Sequence, residues 1–440
     1  YGTCGELESA VNVLNSMGVE AVYDVVFNHR MGADRQMNVP GWGDVWTDFD
    51  LLGREQQYTA ANYPNYYHDF DWDWTAFNGI DGGLFPYKQW DNTYHFPYLM
   101  GNDVDYQRFE IREEMKAWGE WITSDIGFGG FRMDAIAHVD TDFTREWVNH
   151  MHWATGGDIF FVGEAWVGDL VGYLDAVQTP HMNVFDFGLR EDFVNLSGGN
   201  KDMRWWGGLV NTWRGSQAVT FVDNHDTNRA GNPYGTPQVV RFKNQAYAYI
   251  LMREQGTPTV YARDWEEFGM DSSIRPLIEA RRHFAYGPGH ESSANTDAVY
   301  TYVREGLADV EGDGLVMLIS GRDWGIQQSF CINRYQPNTE FFDYTGNISG
   351  TVTTDGNGYA NFPVNVSESG GWSVWVPVPG QSSNTGWENA YFRGTPNGWG
   401  TTAMTEVSEG IWETTADFSG QTNPRFKIDR FGDWTEAYPQ

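Results

Sequence analysis

The sequence predicts an α/β fold, a (β/α)₈ TIM barrel, followed by an all-β domain and a small module of the β-sandwich type. Short β-branched runs that end in polar residues alternate with helical stretches, as the buried parallel strands of a barrel do. Two of these runs reach Asp134 and Glu164, which are 30 residues apart, the length of one strand–helix unit. After about residue 290 the pattern changes to short alternating strands with turn signals, which indicates an all-β domain.

Six runs fit the barrel strands, and polar residues follow the apolar part of each. They are AVYDVVFNH, GGFRMDA, DIFFVGEAW, NVFDF, AVTFVDNHD and TPTVYARDW. Apolar residues at helical spacing predict helices over 5–18, with Leu7, Val11 and Leu14 on its apolar face, and over 108–122. A closed barrel has eight strands, so we expect the first two βα units to be absent from this chain.

The distance between the first two strand ends indicates an inserted subdomain. Asp24 and Asp134 are 110 residues apart, about 80 more than one unit needs. We therefore place the barrel at 1–29 and 106–292, with an inserted domain B at 30–105. An all-β domain C follows at 293–378, then a linker at 379–388 and an incomplete β module at 389–440.

Composition excludes two classes of partner. The chain has 28 Lys and Arg residues against 60 Asp and Glu residues, a net charge of −32, which repels nucleic acid phosphates. No apolar run of about 18 residues is present, so we expect no membrane-spanning helix. The 21 tryptophans exceed what a core needs, and their flat apolar faces suit sugar rings. An acidic, lysine-poor surface also suits a saline habitat, although an ordinary acidic secreted protein has the same composition.

Three acids follow three of the predicted strands, Asp134 in GFRMD, Glu164 in VGEAW and Asp226 in VDNHD. The carboxyl ends of barrel strands converge on one mouth. Two carboxylates on either side of a glycosidic bond are sufficient for its hydrolysis. Arg132 lies two residues before Asp134, so both side chains point the same way. The alternative is that these acids merely cap the helices that follow.

Four segments in this order, DVVFNH, GFRMDAIAH, GEAW and FVDNHD, resemble the signature segments of the alpha-amylase superfamily of retaining glycoside hydrolases. KDMRWW, NQAYAYILMREQGTP, IEARRHFAYG and NDVDY resemble the liquefying-type bacterial alpha-amylases and their maltooligosaccharide-forming relatives, so the resemblance covers about residues 1–378. It implies that Asp134 is the nucleophile, that Glu164 is the general acid and base, and that Asp226 grips the distorted sugar.

The resemblance also implies roles for the basic residues near these acids. Arg132 would orient Asp134, and His29, His138 and His225 would bind sugar hydroxyls at the cleaved subsite. The activity implied is endo-hydrolysis of α-1,4-glucosidic bonds in starch and related α-glucan oligosaccharides, by a secreted, extracellular monomer. Alternatives on the same scaffold are a maltooligosaccharide-forming exo-amylase or a transglycosylase. A protein of another class, a catalytically dead α-glucan-binding protein, is the remaining alternative.

Calcium is the ion that the resemblance implies, and hard oxygen ligands suit Ca²⁺. Asn28, Asp103 and the main-chain oxygen of His138 would hold it, and Asp81, Asp91 and Asp105 align with further acids of the insert. Pro97 replaces the usual acid before YLM, which leaves the number of ions open. Residues 389–440 resemble the starch-binding modules at the ends of amylases, with Trp399 and Trp434 as a stacking pair and Lys427 nearby.

Overall fold

The computed structural model describes most of the chain, with gaps mainly in the insert, in the linker and near the C-terminus. The described residues are 2–49, 71–91, 94, 96–229, 235–307, 310, 312–333, 336–379, 389–408, 411–421, 423–429, 432 and 437–438. They form two compact units, and each is described by itself. The first contains Tyr1–Asn200, Trp205–Lys243 and Gln255–Ala262, and the second contains Lys201–Arg204, Asn244–Glu254 and Arg263–Gln440.

Eight α-helices lie between residue 4 and residue 284 of the described chain. They are α1 Cys4–Ser16, α2 Phe109–Trp121, α3 Thr141–Ala154, α4 Leu170–Val177, α5 Phe187–Ser197, α6 Lys243–Met252, α7 Ala262–Glu266 and α8 Asp271–Phe284. None of the described helices is long and apolar enough to cross a lipid bilayer.

The first unit contains twelve described strands. They are β1 Val22–Val26, β2 His29–Arg30, β3 Arg35–Val39, β4 Gly43–Asp48, β5 Phe77–Ile80, β6 Gly83–Leu84, β7 Asn102–Val104, β8 Gly130–Asp134, β9 Phe160–Gly163, β10 Asn183–Phe185, β11 Ala218–Thr220 and β12 Thr257–Pro258. Six of them form one parallel sheet in the order β1-β8-β9-β10-β11-β12. These six lie in the runs predicted from the sequence, in the same order.

One face at the centre of this sheet is apolar and buried, whereas Arg132 and Asp134 occupy the other face of β8. Phe131, Met133 and Phe161 are inaccessible to solvent, as expected for near-continuous apolar runs in parallel strands. Helices α2 and α3 pack against each other beside it, and the buried Trp147 indole donates to the Met115 carbonyl over 2.9 Å. The sheet therefore gives the residues at its carboxyl edge a rigid base.

Two helix predictions differ from the structure in detail. In α1 only Val11 of the predicted face is buried, while Leu7 and Leu14 are more than a third exposed, because the helix packs mainly against the turn at Ile122–Ile126. Helix α2 ends at Trp121, one residue from the predicted end, and a π-helical segment at Ile122–Ile126 follows it directly. Gly127 ends it in the left-handed region, at a φ of 91°, which glycine adopts without steric cost.

The predicted insert is a small antiparallel β structure. Strands β2, β7, β5 and β6 form one sheet in that order, and β3 pairs with β4. The register between β2 and β7 sets His29 opposite Asp103. A Cβ on Gly79 would lie 1.9 Å from the Gly83 carbonyl oxygen, so only glycine permits the close approach of β5 to β6. The pairing brings a distant part of the chain to the end of the first barrel strand.

The second unit contains the predicted all-β region. Its strands are β13 Gly289–Glu291, β14 Val299–Arg304, β15 Leu315–Ser320, β16 Gln328–Asn333, β17 Glu340–Asp343, β18 Thr351–Thr353, β19 Tyr359–Val364 and β20 Trp372–Pro377. Six form a sheet in the order β13-β14-β15-β20-β17-β18, and β16 pairs with β19. Val316, Phe341, Phe362 and Trp375 are buried in the core of this domain.

The C-terminal module is also built from short strands. They are β21 Tyr391–Gly394, β22 Thr402–Ala403, β23 Thr405–Ser408, β24 Ile411–Glu413, β25 Phe426–Asp429 and β26 Ala437–Tyr438. A buried ion pair links its two central strands, with Arg393 Nε 2.6 Å from Asp429 Oδ2. The predicted linker falls mostly outside the described residues, and the predicted domain boundaries and missing barrel units remain predictions.

Candidate active site

The sheet brings the three predicted acids to one edge. Asp134 is the last residue of β8, and Glu164 directly follows β9, the neighbouring strand. Asp226 lies in the loop after β11, two strands beyond β9. Because all these strands are parallel, their carboxyl ends lie on the same side of the sheet. The backbone alone thus places the three carboxylates along one rim.

Arg132 joins two of these acids through one guanidinium. Its Nη1 lies 2.6 Å from Asp134 Oδ1, and its Nη2 lies 2.8 Å from Glu164 Oε2. Burial lowers the pKa of Arg132, but the carboxylate of Glu164, followed by those of Asp24 and Asp134, more than offsets this, so the net direction is upward. The planar fork of an arginine suits such a double contact better than an ammonium group would.

Glu164 is buried and one of its oxygens has no partner in the described structure. Oε2 accepts from Arg132 and, over 3.4 Å, from the backbone N–H of Ala135, whereas Oε1 has no hydrogen bond. Burial raises the pKa of Glu164, and the carboxylates of Asp134 and Asp226 raise it further, against the lowering effect of Arg132. A carboxyl group in this environment retains its proton to higher pH, which is what a general acid requires.

Two of the predicted histidines are close to the acids. His29 follows β1 along the chain, and burial lowers its pKa although the Asp134 carboxylate raises it. Its Nδ1 lies 3.1 Å from Asn28 Oδ1, so the ring position is fixed. His225 Nε2 is 3.5 Å from Asp226 Oδ2, and the His225 side chain is largely exposed. Both rings are placed where they could hydrogen-bond to sugar hydroxyls.

The third histidine, His138, contacts the insert. Its Nδ1 lies 3.1 Å from the Phe96 carbonyl oxygen, and its ring stacks on Phe96. Its own carbonyl accepts from the Asn28 side-chain amide over 3.1 Å. His138 therefore connects the loop after β8 to the insert, and its predicted contact with sugar remains a prediction.

Sequence reasoning missed two acids that support the site. Asp24 Oδ1 lies 2.8 Å from Arg132 Nη1, and the strand register pairs these two residues directly. Asp223 is fully buried, and its carboxylate contacts Arg190 at 2.9 Å and Lys243 at 3.2 Å. A charged residue inside each apolar run was the available signal. For Asp223, which is buried, that charge needs a partner, whereas the Asp24 side chain is largely exposed.

Asp223 also fixes the turn that carries Asp226. Its Oδ1 accepts from the Thr227 hydroxyl over 3.0 Å, and its Oδ2 accepts from the Val239 N–H over 3.2 Å. Within the turn, Asn224 Oδ1 accepts the backbone N–H groups of Asp226 and Thr227, both over 3.0 Å. The position of Asp226 therefore depends on a hydrogen-bonded turn anchored by a buried carboxylate.

Three of the predicted calcium ligands meet beside the insert. Asn28 Nδ2 donates to Asp103 Oδ1 over 3.2 Å and to the His138 carbonyl oxygen over 3.1 Å, and the Asn28 and Asp103 side chains are buried. A cation between these groups would take the Asn28 oxygen as its ligand, which requires the amide to turn over. Burial raises the pKa of Asp103 to about 8, and the carboxylates of Asp91 and Asp105 contribute to the increase. Buried carboxyl and carbonyl oxygen atoms fit a hard cation such as Ca²⁺, which would lower the pKa of Asp103 again when bound.

The further insert acids differ in their surroundings. Asp91 is partly buried and accepts from the Tyr106 N–H over 2.8 Å, and desolvation raises its pKa to about 7. Asp105 is paired with Lys88 at 2.5 Å, so an ammonium group already offsets its charge. Asp81 is exposed in the turn between β5 and β6. Among the described residues no group of three or more His, Cys, Asp or Glu side chains is arranged to hold a metal.

The C-terminal module presents one of its predicted sugar-binding residues in an unusual conformation. Trp399 has a φ of 64°, in the left-handed region that non-glycine residues seldom adopt. Its N–H donates to the Gly394 carbonyl over 2.8 Å, and its own carbonyl accepts from Arg393 over 3.0 Å. Lys427 lies on β25 opposite Arg393. Trp434 lies outside the described residues, so the predicted pair stays a prediction.

Comparison with known proteins agrees with this architecture. The family model described as "Alpha amylase, catalytic domain" matches residues 1–298, and the one described as "Alpha-amylase C-terminal" matches residues 329–376. Among solved structures, a cyclomaltodextrin glucanotransferase, CldA, superposes with a TM-score of 0.60 at 19% identity, covering 86% of this chain and 79% of that one. At this identity the likeness shows the fold, a TIM barrel with a C-terminal all-β domain.

Curated relatives are more similar in sequence. The chain is 34% identical to the glucan 1,4-alpha-maltohexaosidase of Bacillus sp. (strain 707), covering 86% of this chain and 78% of the relative. It is also 34% identical to the alpha-amylase of Bacillus licheniformis, with 86% and 79% covered. The cytoplasmic alpha-amylase of Escherichia coli (strain K12) is 31% identical, with 86% and 84% covered. The extent of these matches, together with the acids along the sheet edge, means that the chain belongs to the alpha-amylase family.

Proposed function

We propose that the protein is a retaining endo-hydrolase of α-1,4-glucosidic bonds in starch and related α-glucans. The observation that supports this most directly is the pair of acids, Asp134 and Glu164, held by the two nitrogens of Arg132. Both acids contact this guanidinium, but Glu164 is the more deeply buried of the two and its pKa is raised. The names of the relatives, alpha-amylase and glucan 1,4-alpha-maltohexaosidase, support an α-1,4-glucan as the substrate.

In the first step Asp134 attacks the anomeric carbon of the glucosyl unit. Glu164 donates its proton to the glucosidic oxygen, the carbon–oxygen bond breaks, and the chain beyond it leaves as an alcohol. A covalent glycosyl–Asp134 ester remains. The positive charge that develops on the sugar ring is stabilised by nearby carboxylates, among which Asp226 is the one not paired with Arg132.

In the second step Glu164, now ionised, removes a proton from water. The water oxygen attacks the anomeric carbon, and the bond to Asp134 breaks, which regenerates both carboxyl groups in their starting states. Two displacements at the same carbon give retention of configuration. His29 and His225 supply hydrogen bonds to sugar hydroxyls at this position.

The direct test of this mechanism is Glu164→Gln in the full chain. We expect the rate of starch hydrolysis to fall by about 10²-fold or more, because the general acid is lost while the shape of the side chain is retained. Glu20→Gln, an exposed glutamate before β1 at the opposite edge of the sheet, is the matched control. Wild-type rates from Glu164→Gln would reject the assignment.

The same assay separates endo-hydrolysis from the alternatives. A scattered mixture of oligosaccharides early in the digestion of soluble starch indicates endo attack. A single dominant product length indicates a maltooligosaccharide-forming exo-amylase, an alternative that the name of the maltohexaosidase relative favours. Products longer than the oligosaccharide supplied indicate transglycosylation, and no products at all indicate a binding protein.

We also propose a resident calcium ion held by Asn28, Asp103 and the main-chain oxygen of His138. The convergence of these three groups supports it, and so do the raised pKa values of Asp103 and Asp91, because a bound cation would stabilise their ionised forms. When bound, the ion would tie the insert to the loop after β8. Asp105 is a weaker candidate ligand because Lys88 is paired with it, and Asp81 and Asp91 are further candidates.

The C-terminal module is proposed to bind α-glucan chains through Trp399, Trp434 and Lys427. The constrained backbone of Trp399 supports a role in presenting its ring, since strain of this kind persists where function requires it. We further propose that the protein is a secreted, extracellular monomer. The name of the E. coli relative, a cytoplasmic alpha-amylase, shows that location does not follow from family membership.

A further inference from the structure

The loop between β15 and β16 holds two large apolar side chains in solvent. Trp324 is 82% exposed and Ile326 is 81% exposed. Together with Arg322, Gln328 and Val366 they line a groove of about 640 Å³. Pockets that bind small ligands have volumes of about 300–1,000 Å³. All of these residues belong to the second unit, whereas the predicted catalytic acids belong to the first.

Contacts at its base and at its tip hold this loop in place. Arg322 Nη1 donates to the carbonyls of Lys201 and Gly321, both over 3.2 Å, and its Nη2 lies 3.1 Å from Asp297 Oδ2. At the tip, a Cβ on Gly325 would lie 2.7 Å from Val366 Cγ1. Only glycine lets the backbone approach Val366 this closely, so the residues on either side project outward from an anchored loop.

The groove combines one flat apolar ring with polar side chains at its border. A chain of α-linked glucosyl units has apolar ring faces and a rim of hydroxyl groups. The Trp324 indole can stack on the apolar ring faces, and Ile326 extends the apolar surface beside it. The Gln328 amide and the Arg322 guanidinium, which are both partly exposed, can hydrogen-bond to the hydroxyl groups.

Charge argues against other occupants of this apolar patch. The chain carries a net charge of −32, so a second copy and an anionic membrane surface are both repelled. A neutral polysaccharide meets no such repulsion. Large side chains held in solvent on an anchored loop mark an interaction site, and a neutral glucan is the occupant that its chemistry fits.

We propose that the groove at Trp324 and Ile326 is a second binding site for α-glucan chains, separate from the active site and from the C-terminal module. The choice of ligand rests on the proposed function, because the substrate polymer is the glucan that the protein would meet. Such a site would hold the enzyme on a long polymer between cleavage events, and a short soluble oligosaccharide would gain little from it.

The test compares Trp324→Ala with Trp153→Ala, a control tryptophan that is 73% exposed on helix α3. Both are made in a full-length Glu164→Gln, Trp399→Asn background, which limits polymer cleavage and weakens the C-terminal module. Asparagine is chosen at 399 because it tolerates the left-handed backbone there. The readout is retardation in native gels containing amylose, with dextran gels as the negative control.

We expect Trp324→Ala to raise the apparent dissociation constant for amylose about 2- to 10-fold, the range of one lost aromatic contact. Trp153→Ala should leave it unchanged. In the catalytically intact chain, Trp324→Ala should not change the initial rate on maltoheptaose. Equal amylose retardation of the two variants would overturn the site, and so would a change in sedimentation by Trp324→Ala without a change in retardation, which would indicate self-association.

The outcome is independent of catalysis. If Glu164→Gln leaves starch hydrolysis intact, the proposed mechanism fails while the retardation still reports on the groove. If hydrolysis depends on Glu164 and retardation does not depend on Trp324, the enzyme assignment stands and the second site is rejected.

Discussion

One guanidinium controls the spacing of the two proposed catalytic acids. Arg132 contacts Asp134 and Glu164 through separate nitrogens, while Asp24 shares the first of them. Removing the positive charge would leave three neighbouring carboxylates without compensation, at a cost that grows with their burial. Lysine could not replace it, because a single ammonium group lacks the planar fork that reaches both acids.

Replacing Asp24 should change the pH dependence of activity. Asp24→Asn removes a negative charge beside Arg132, which leaves Arg132 free to lower the pKa of Glu164 more strongly. Glu164 must be protonated to donate, so the alkaline limb of the kcat/KM profile should move to lower pH. Asp142→Asn, an exposed acid paired with Arg145, serves as the control. A limb that stays in place or moves to higher pH would contradict this.

Replacing Asp223 should destabilise the protein strongly. Asp223→Asn leaves the buried charges of Arg190 and Lys243 without their shared carboxylate, and breaking a buried pair costs about 3–5 kcal/mol. Urea denaturation would measure the loss in free energy of unfolding. In the control Asp202→Asn the lost ion pair with Arg204 is exposed, so the change should be small. Similar values for both variants would show that Asp223 has no special role.

For individual residues, the sequence predicted the relative positions of side chains that lie on the same strand. Asp134 and Arg132 lie on the same face of β8 because side chains alternate along a strand, and this follows from the sequence alone. Asp24 and Asp223 act on partners from other elements, Arg132 on β8 and Arg190 on α5. Such partnerships depend on register and packing between segments, which a local pattern does not contain.

Among the elements, the pairing of β2 with β7 matters most for the site. It sets His29 opposite Asp103 and brings Asp103 within hydrogen-bonding distance of Asn28. The sequence indicated an insert from spacing, yet not which of its strands returns to the barrel. The predicted apolar face of α1 was wrong in part for a similar reason. A helix buries only the side chains that neighbouring elements cover, and here that is Val11 but not Leu7 or Leu14.

Removing calcium should lower the thermal stability of the first unit. An ion that binds only the folded state contributes about 2.7 kcal/mol when its concentration is 100 times the dissociation constant. Chelation should therefore lower Tm, and added Ca²⁺ should restore it. Asp103→Asn should abolish this response, whereas Asp158→Asn, an exposed acid, should retain it. A Tm that does not respond to chelation would contradict the proposed calcium site.

The molecule as a whole is strongly acidic. A net charge of −32 spread over 440 residues makes the compact state repel itself, and mobile ions reduce that repulsion. This expectation follows from composition alone, because net charge does not depend on the fold. The parallel sheet and the all-β region were also evident from periodicity. The division into two compact units was not evident, because segments such as Asn244–Glu254 belong to the second unit despite lying between stretches of the first.

Added salt should raise the stability of the protein. Raising NaCl from 0.1 to 1 M shortens the screening length from about 10 Å to about 3 Å, which weakens repulsion between surface carboxylates. We expect Tm to rise over this range at saturating Ca²⁺. Sucrose at matched osmolality separates screening from general solute effects. A Tm that falls steadily with NaCl would show that attractive ion pairs, and not repulsion, dominate the surface.

The two proposed catalytic acids lie at the ends of two adjacent strands, while the insert and the loop after β11 lie at the same edge of the sheet. This separation has an evolutionary consequence. Mutations in the loops can alter how many sugar units are gripped without moving the two acids relative to each other. Selection can therefore retune product size in small steps while hydrolysis is inherited intact.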